Sequence, residues 1–132
     1  MNEPQHFVAS MPLAANFGMR FLERTEAGAA IALPLRAEFL QVADVVHGGI
    51  VATLADTAAV YLLLGGGRPE RAMTSIEFKL NFLRPALLER GELLARAALV
   101  KRGRTIALAG VDVEQAGQLV AKGLFTYLFA DS

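Results

Sequence analysis

The chain has no cysteine. Disulfides, thiolate nucleophiles and cysteine metal sites are therefore excluded. Tryptophan is absent too, and the only histidines are His6 and His47. Two histidines cannot hold a metal alone, and no carboxylate stands near either at a recognised ligand spacing. No metal and no cofactor are expected. Net charge is missing as well, since 13 Lys and Arg balance 13 Asp and Glu. With neither overall basicity nor a recognition motif, no nucleic-acid partner is expected. There is no long hydrophobic run. The best candidate, Ile50–Leu64, is shorter than the ~20 residues that span a bilayer, and it carries Asp56. The opening Met1-Asn2-Glu3-Pro4-Gln5 lacks a basic region leading into an apolar core, so no leader peptide is expected. These absences suggest a cytoplasmic protein with no membrane contact.

What is present is apolar surface. The chain is 54% hydrophobic with a mean hydropathy of +0.40 over 132 residues. One domain over 1–132 has room for a real core, but too little interior for that much apolar area. Burial between copies of the chain is the natural outlet, which predicts a homo-oligomer, a dimer or a tetramer. Charge is also unevenly placed. Nine basic and four acidic residues lie between Arg68 and Arg104, a segment of net +5. Such a field suits a phosphorylated small molecule.

Residues Pro12 to Asn16 read as a short helix ended by Gly18. Met19–Arg24 and Ala29–Leu35 read as strands around a turn at Glu26-Ala27-Gly28, and Ala37–Val46 as an irregular connection. A helix runs from about His47 to Leu64 and stops at Gly65-Gly66-Gly67. Ile76, Phe78, Leu80 and Phe82 then alternate with polar residues, a strand signal that Pro85 ends. Glu92–Val100 and Thr105–Val113 flank the turn Lys101-Arg102-Gly103-Arg104. Gln118–Phe129 follows a turn at Gln115-Ala116-Gly117. Consecutive strands with short turns form an antiparallel sheet. The long helix is apolar nearly all round and needs cover. The economical solution is an α+β fold with a curved antiparallel sheet wrapped around one central helix.

The chemistry concentrates at His47-Gly48-Gly49 and Asp56. Two glycines open the helix and leave N–H groups bare for an anion. Asp56 places a carboxylate on an apolar helix, where burial is costly. A solvated acid on the wet face of the helix is the plain alternative, as simple chain entry is for Gly48. Thr53 and Thr57 could supply a polar shell for Asp56. His47 could cap or orient the helix start, or take a direct part in catalysis beside Asp56.

These residues resemble the PaaI-like acyl-CoA thioesterases of the hotdog fold. His47-Gly48-Gly49 and Leu54-Ala55-Asp56-Thr57 match that family's signature. Asn81-Phe82-Leu83-Arg84-Pro85-Ala86, the hairpin around Lys101–Thr105 and the opening Pro12–Met19 are also similar. The resemblance implies hydrolysis of an acyl-CoA, with CoA as part of the substrate rather than a cofactor. It implies that Asp56 is general base or nucleophile and that the Gly48 N–H polarises the thioester carbonyl. At ~1.5 Å rise per residue the two lie ~12 Å apart along one helix. They cannot meet one carbonyl within one chain, so antiparallel helices of two subunits are expected to bring them together.

The family position six residues before His47 is Asn, or in some members Gln, and here is Gln41. An amide there can bind the thioester oxygen or a water; an exposed loop residue is the alternative. Ser75 matches a water-positioning serine of some relatives, with Thr74 competing for the role. Gly49, Thr57 and Thr74 are further substrate contacts implied by the likeness. Arg102, Gly103 and Arg104 are expected at the CoA phosphates, with Lys101 and Arg84 as lesser candidates. An ordinary basic hairpin with Gly103 serving its turn is the alternative. Tyr61, Phe78 and Phe82 are expected near the acyl group, compatible with aryl-acetyl, aromatic or medium-chain acids. The rivals are a non-catalytic acyl-CoA binder on the same fold, a hydratase or dehydratase, and a purely structural oligomer.

Overall fold

The computed structural model describes residues 8–65 and 72–130. His6, Gly66, Gly67, Arg68 and Arg71 lie outside them. The short helix is Pro12–Phe17, with Pro12 in its first turn and Gly18 closing it at φ 76°. Proline tolerates a helix start and glycine the left-handed closure. Strands β1 (Arg20–Arg24) and β2 (Gly28–Leu33) follow. The central helix is Gly48–Gly65. Strands β3 (Met73–Phe82), β4 (Leu93–Arg102), β5 (Ile106–Gln115) and β6 (Gln118–Phe129) complete the chain.

All six strands join one antiparallel sheet in the order β1-β2-β4-β5-β6-β3. This is the predicted hotdog arrangement. The central helix packs mainly on β2, β4 and β5. The contact is built from small residues on both sides. Ala55, Ala58 and Ala59 of the helix are fully buried, as are Ala95, Ala107 and Ala109 of the sheet. Small side chains let helix and sheet close to interior packing density without voids. Larger residues fill the margins of that contact: Leu54, Leu62 and Leu63 on the helix, Ile31 and Leu33 on β2.

Two hairpins differ in detail from the sequence reading. Between β4 and β5 the turn begins later, because Lys101 and Arg102 stay in the strand. The Gly103 N–H donates to the Ile106 carbonyl at 2.8 Å. A Cβ on Gly103 would stand 2.9 Å from that carbonyl oxygen, so only glycine closes this turn. The last hairpin turns on Ala116 and Gly117, with φ 50° and 77°. Two successive left-handed residues give the turn the twist of the flanking strands.

Strand β3 lands at the sheet edge, beyond the cover of the helix. Phe78 and Phe82 face the helix side, each opposite a buried β6 residue, yet remain 47% and 54% exposed. Phe78 stacks on Phe125 with ring centroids 4.9 Å apart. The pairing of β3 with β6 depends on Gly123. A Cβ there would lie 2.2 Å from the Lys79 carbonyl oxygen, a backbone atom that cannot swing aside. Gly123→Ala is therefore expected to destabilise the fold by about 3 kcal/mol, the upper end of overpacking costs. Urea unfolding monitored by circular dichroism checks it; a midpoint within error of wild type would show that β3 can move off β6 freely.

Candidate active site

The helix start is built by the segment before it. Gln41 N–H donates to the Val45 carbonyl, Val46 N–H to Ala86 and His47 N–H to Phe39, each at 2.8 Å. Ala43 and Asp44 adopt φ 62° and 59° to make this tight path. Gln115 secures the far side. It is buried on β5, and its amide nitrogen donates to the Leu87 and Gly91 carbonyls at 2.7 and 2.8 Å. Its amide oxygen accepts the Leu87 N–H at 3.0 Å. Leu87 in turn bridges Val45. Sequence reasoning passed over Gln115, because nothing in a strand-end glutamine signals a staple between two loops.

His47 caps the helix with its side chain. Its Nδ1 accepts the Gly49 N–H at 2.8 Å, and its carbonyl accepts the Ile50 N–H at 2.9 Å. A Cβ on Gly49 would stand 3.0 Å from that Nδ1, so Gly49 makes room for the cap. The Gly48 N–H has no acceptor among the described residues. One bare donor thus remains at the positive end of an 18-residue helix. It borders a cavity of about 390 Å³ that Gln41, Phe82 and Arg84 also line. The Phe82 ring lies 3.4 Å from where a Gly48 Cβ would sit.

Asp56 is held elsewhere. The hydroxyl of Tyr127 on β6 donates to Asp56 Oδ1 and lies 3.3 Å from the Asp56 carbonyl oxygen. Burial first, and then the bond to Asp56, push the Tyr127 phenol well above its ordinary range, so it stays protonated. Thr53 and Thr57, expected as the shell of Asp56, instead donate to the helix carbonyls of Gly49 and Thr53 at 2.8 and 2.7 Å. Thr57 is also buried, so its side chain is not presented to a substrate within this chain. A threonine hydroxyl on a helix reaches the carbonyl four residues back more readily than a neighbour's carboxylate.

The register of β3 separates the two candidate hydroxyls. Ser75 is the cross-strand partner of Tyr127, and Thr74 that of Leu128. Paired residues share a face, so Ser75 stands on the Tyr127 side and Thr74 on the other.

The basic hairpin also divides. A bulge between Leu99 and Lys101 shifts the face of β4, so Arg102 pairs with buried Ala107 and turns to the helix side. Its guanidinium donates to the Leu63 carbonyl at 3.0 Å and lies 5.6 Å over the Phe129 ring. Arg24 on β1 donates to the Tyr61 and Leu62 carbonyls, both at 3.0 Å. Burial lowers the pKa of both arginines. Together they close the negative end of the central helix. Lys101 and Arg104 remain exposed. The expectation for Arg102 at the CoA phosphates thus meets a side chain already committed to the fold. Arg102→Ala is expected to cost about 2 kcal/mol through the unpaired Leu63 carbonyl, while KM for a CoA ester stays within about threefold. Thermal unfolding and steady-state kinetics check both arms. Tyr61, expected near the acyl group, is fully buried with its hydroxyl on the Leu22 carbonyl at 2.8 Å. It belongs to the core.

Among the described residues no group of three or more His, Asp or Glu could hold a metal. None of their helices is long and apolar enough to cross a membrane.

The chain is similar to known proteins in both sequence and fold. The profile of the family described as Thioesterase superfamily matches residues 43–122, the stretch that holds Gly48, Asp56 and Ser75. The chain is 32% identical over 82 residues to acyl-coenzyme A thioesterase 13 of Mus musculus, spanning 61% of this chain and 57% of that protein. Its fold matches the crystal structure of a thioesterase family protein from Silicibacter pomeroyi with a TM-score of 0.88. That likeness has 27% identity and covers 98% of this chain and 96% of the other. The PaaI protein of E. coli, from the phenylacetic acid degradation operon, shares the fold with a TM-score of 0.88. Identity there is 22%, over 97% of this chain and 91% of that one.

Proposed function

This chain belongs to the thioesterase superfamily and is a thioester hydrolase, and from that premise we propose that it hydrolyses an acyl-CoA at sites shared between two copies of the chain. The observation that carries this reading is the division of the machinery along one helix. The bare Gly48 N–H and Gln41 sit at its start, and Asp56 sits ~12 Å further along. Neither half is complete alone. Edge strand β3 leaves Phe78 and Phe82 open on the helix side. A second chain packing there antiparallel would set its Asp56 opposite the first chain's Gly48, and would bury the excess apolar surface. Val100, Ile106, Leu124 and Leu128 are also exposed, which leaves room for a tetramer.

In this reading Asp56 takes a proton from the water that attacks the thioester carbon. The Gly48 N–H of the facing subunit holds the oxygen on which negative charge develops. The carbon–sulfur bond then breaks, protonated Asp56 gives its proton to the departing sulfur, and CoA leaves as its thiol with Asp56 restored as carboxylate. Direct attack by Asp56, with an anhydride hydrolysed in a second step, uses the same placement. Gln41 in the cavity beside Gly48 can donate to the carbonyl oxygen or hold the water. Ser75 stands beside the Tyr127–Asp56 pair. Lys101, Arg104 and Arg84 carry the charge a CoA phosphate needs. The Phe82 ring beside Gly48 and the open Phe78 favour an aromatic or medium-chain acyl group.

Free-thiol release from a panel of acyl-CoAs tests this. Turnover of at least one aromatic or medium-chain ester is expected. No turnover on any ester, with thermal stabilisation by one of them, would replace the enzyme by a binder.

A further inference from the structure

We propose that Tyr127 is the positioning residue of the site, its hydroxyl pinning Oδ1 of Asp56 so that Oδ2 is the oxygen offered to the reaction. This rests on the reading of Asp56 as base or nucleophile. A free aspartate has two equivalent oxygens and rotates about its last torsion. Chemistry needs one oxygen at one place, and misplacement is costly. Tyr127 supplies the constraint. It is 2% exposed, on β6 between its neighbours β5 and β3, and its ring is too rigid to follow the carboxylate. Among the described residues it is the only side chain that hydrogen-bonds the Asp56 carboxylate. The two hydroxyls expected from the sequence to serve Asp56, those of Thr53 and Thr57, donate to helix carbonyls instead.

A phenol suits the task better than a cation. A lysine or arginine beside Asp56 would neutralise the charge that a base or nucleophile uses. The Tyr127 phenol donates one directed hydrogen bond and adds no charge. Because burial keeps it protonated, it remains a donor across the working pH range. Its cross-strand neighbour Ser75 places a second hydroxyl on the same side of the sheet. Tyr127 is therefore tied to Asp56 on one flank and to the edge strand on the other.

A mutant cycle tests the proposal, measured on the full oligomeric protein with an acyl-CoA that the wild type turns over. Tyr127→Phe removes only the hydroxyl. It is expected to lower kcat about ten- to a hundredfold, the value of a hydrogen bond to a charged group, with KM within about twofold. In an Asp56→Asn background the same change is expected to cost nothing further, because the group it serves is gone. An equal loss in both backgrounds would mean Tyr127 acts through the fold, and would overturn the proposal. So would an unchanged kcat in Tyr127→Phe while Asp56→Asn is inactive. Full turnover by Asp56→Asn would instead overturn the role of Asp56, and this inference with it. Should Tyr127→Phe fold poorly, protein labelled with ring-fluorinated tyrosine keeps the shape and changes the donor strength. Its kcat is expected to move in wild type and stay fixed in Asp56→Asn; a fixed kcat in both overturns the proposal.

Discussion

Asp56→Asn is expected to lower kcat for acyl-CoA hydrolysis by about 10²- to 10⁴-fold, the usual range for loss of a general base. The substitution keeps the size and shape of the side chain. The amide oxygen it introduces can still accept the Tyr127 hydroxyl, so stability should change by less than about 1 kcal/mol. The loss therefore measures chemistry rather than folding. Free-thiol release under saturating substrate gives kcat, and thermal unfolding gives the control. A variant with wild-type turnover would remove Asp56 from the mechanism while leaving fold and family in place. A nucleophilic Asp56 predicts the same loss, so single-turnover hydrolysis in heavy-oxygen water is the experiment that separates the two routes. Label in the Asp56 carboxylate means attack by the side chain; label confined to the released acid, with no acylated Asp56 trapped by rapid quench, means direct attack by water.

Gly48→Pro is expected to lower kcat by about 10²- to 10³-fold, the cost of deleting one oxyanion donor. Proline is tolerated at the first position of a helix, where its missing N–H breaks no helical bond. Gly48 is that first residue, and its N–H has no acceptor among the described residues. The substitution thus removes a donor that the fold does not use. Gly48→Ala keeps the N–H and places its Cβ at ordinary contact distance from Phe82, so it should lose far less. Mixing decides whether the site is shared. A dimer of one Asp56→Asn chain and one Gly48→Pro chain has one site with both defects and one intact site. Random pairing of equal amounts should restore about a quarter of wild-type activity by the two-fold symmetry of such a dimer. Restoration to no more than the parental rates would place Gly48 and Asp56 in the same chain's site, or in no common site.

Much of this molecule was legible as local pattern. Proline before and glycine after marked the short helix, and the alternation through Ile76, Phe78, Leu80 and Phe82 marked β3. The pair of glycines at Gly48 and Gly49, with one acid eight residues on, marked both halves of the proposed site. The His47 cap was legible too, because an imidazole two residues from an N–H is a local matter.

Other features were decided only in three dimensions. Period-two alternation says which residues share a face, but a bulge at Leu99/Lys101 reverses that assignment for everything after it. This is how Arg102, expected at the CoA phosphates, came to close the central helix. Register also separated Ser75 from Thr74, which neighbouring positions in a strand cannot do for themselves. The Tyr127 hydroxyl reaches Asp56 across 71 residues of sequence, and Gln115 staples a loop 28 residues away. Such contacts leave no trace in spacing, since they depend on which strand lies beside which. The sequence by itself determined the elements, the turns and the residues able to do chemistry, because sterics and periodicity act between near neighbours. The tertiary structure alone decided which side chains hold those residues in place, because strand order and register are properties of the whole sheet.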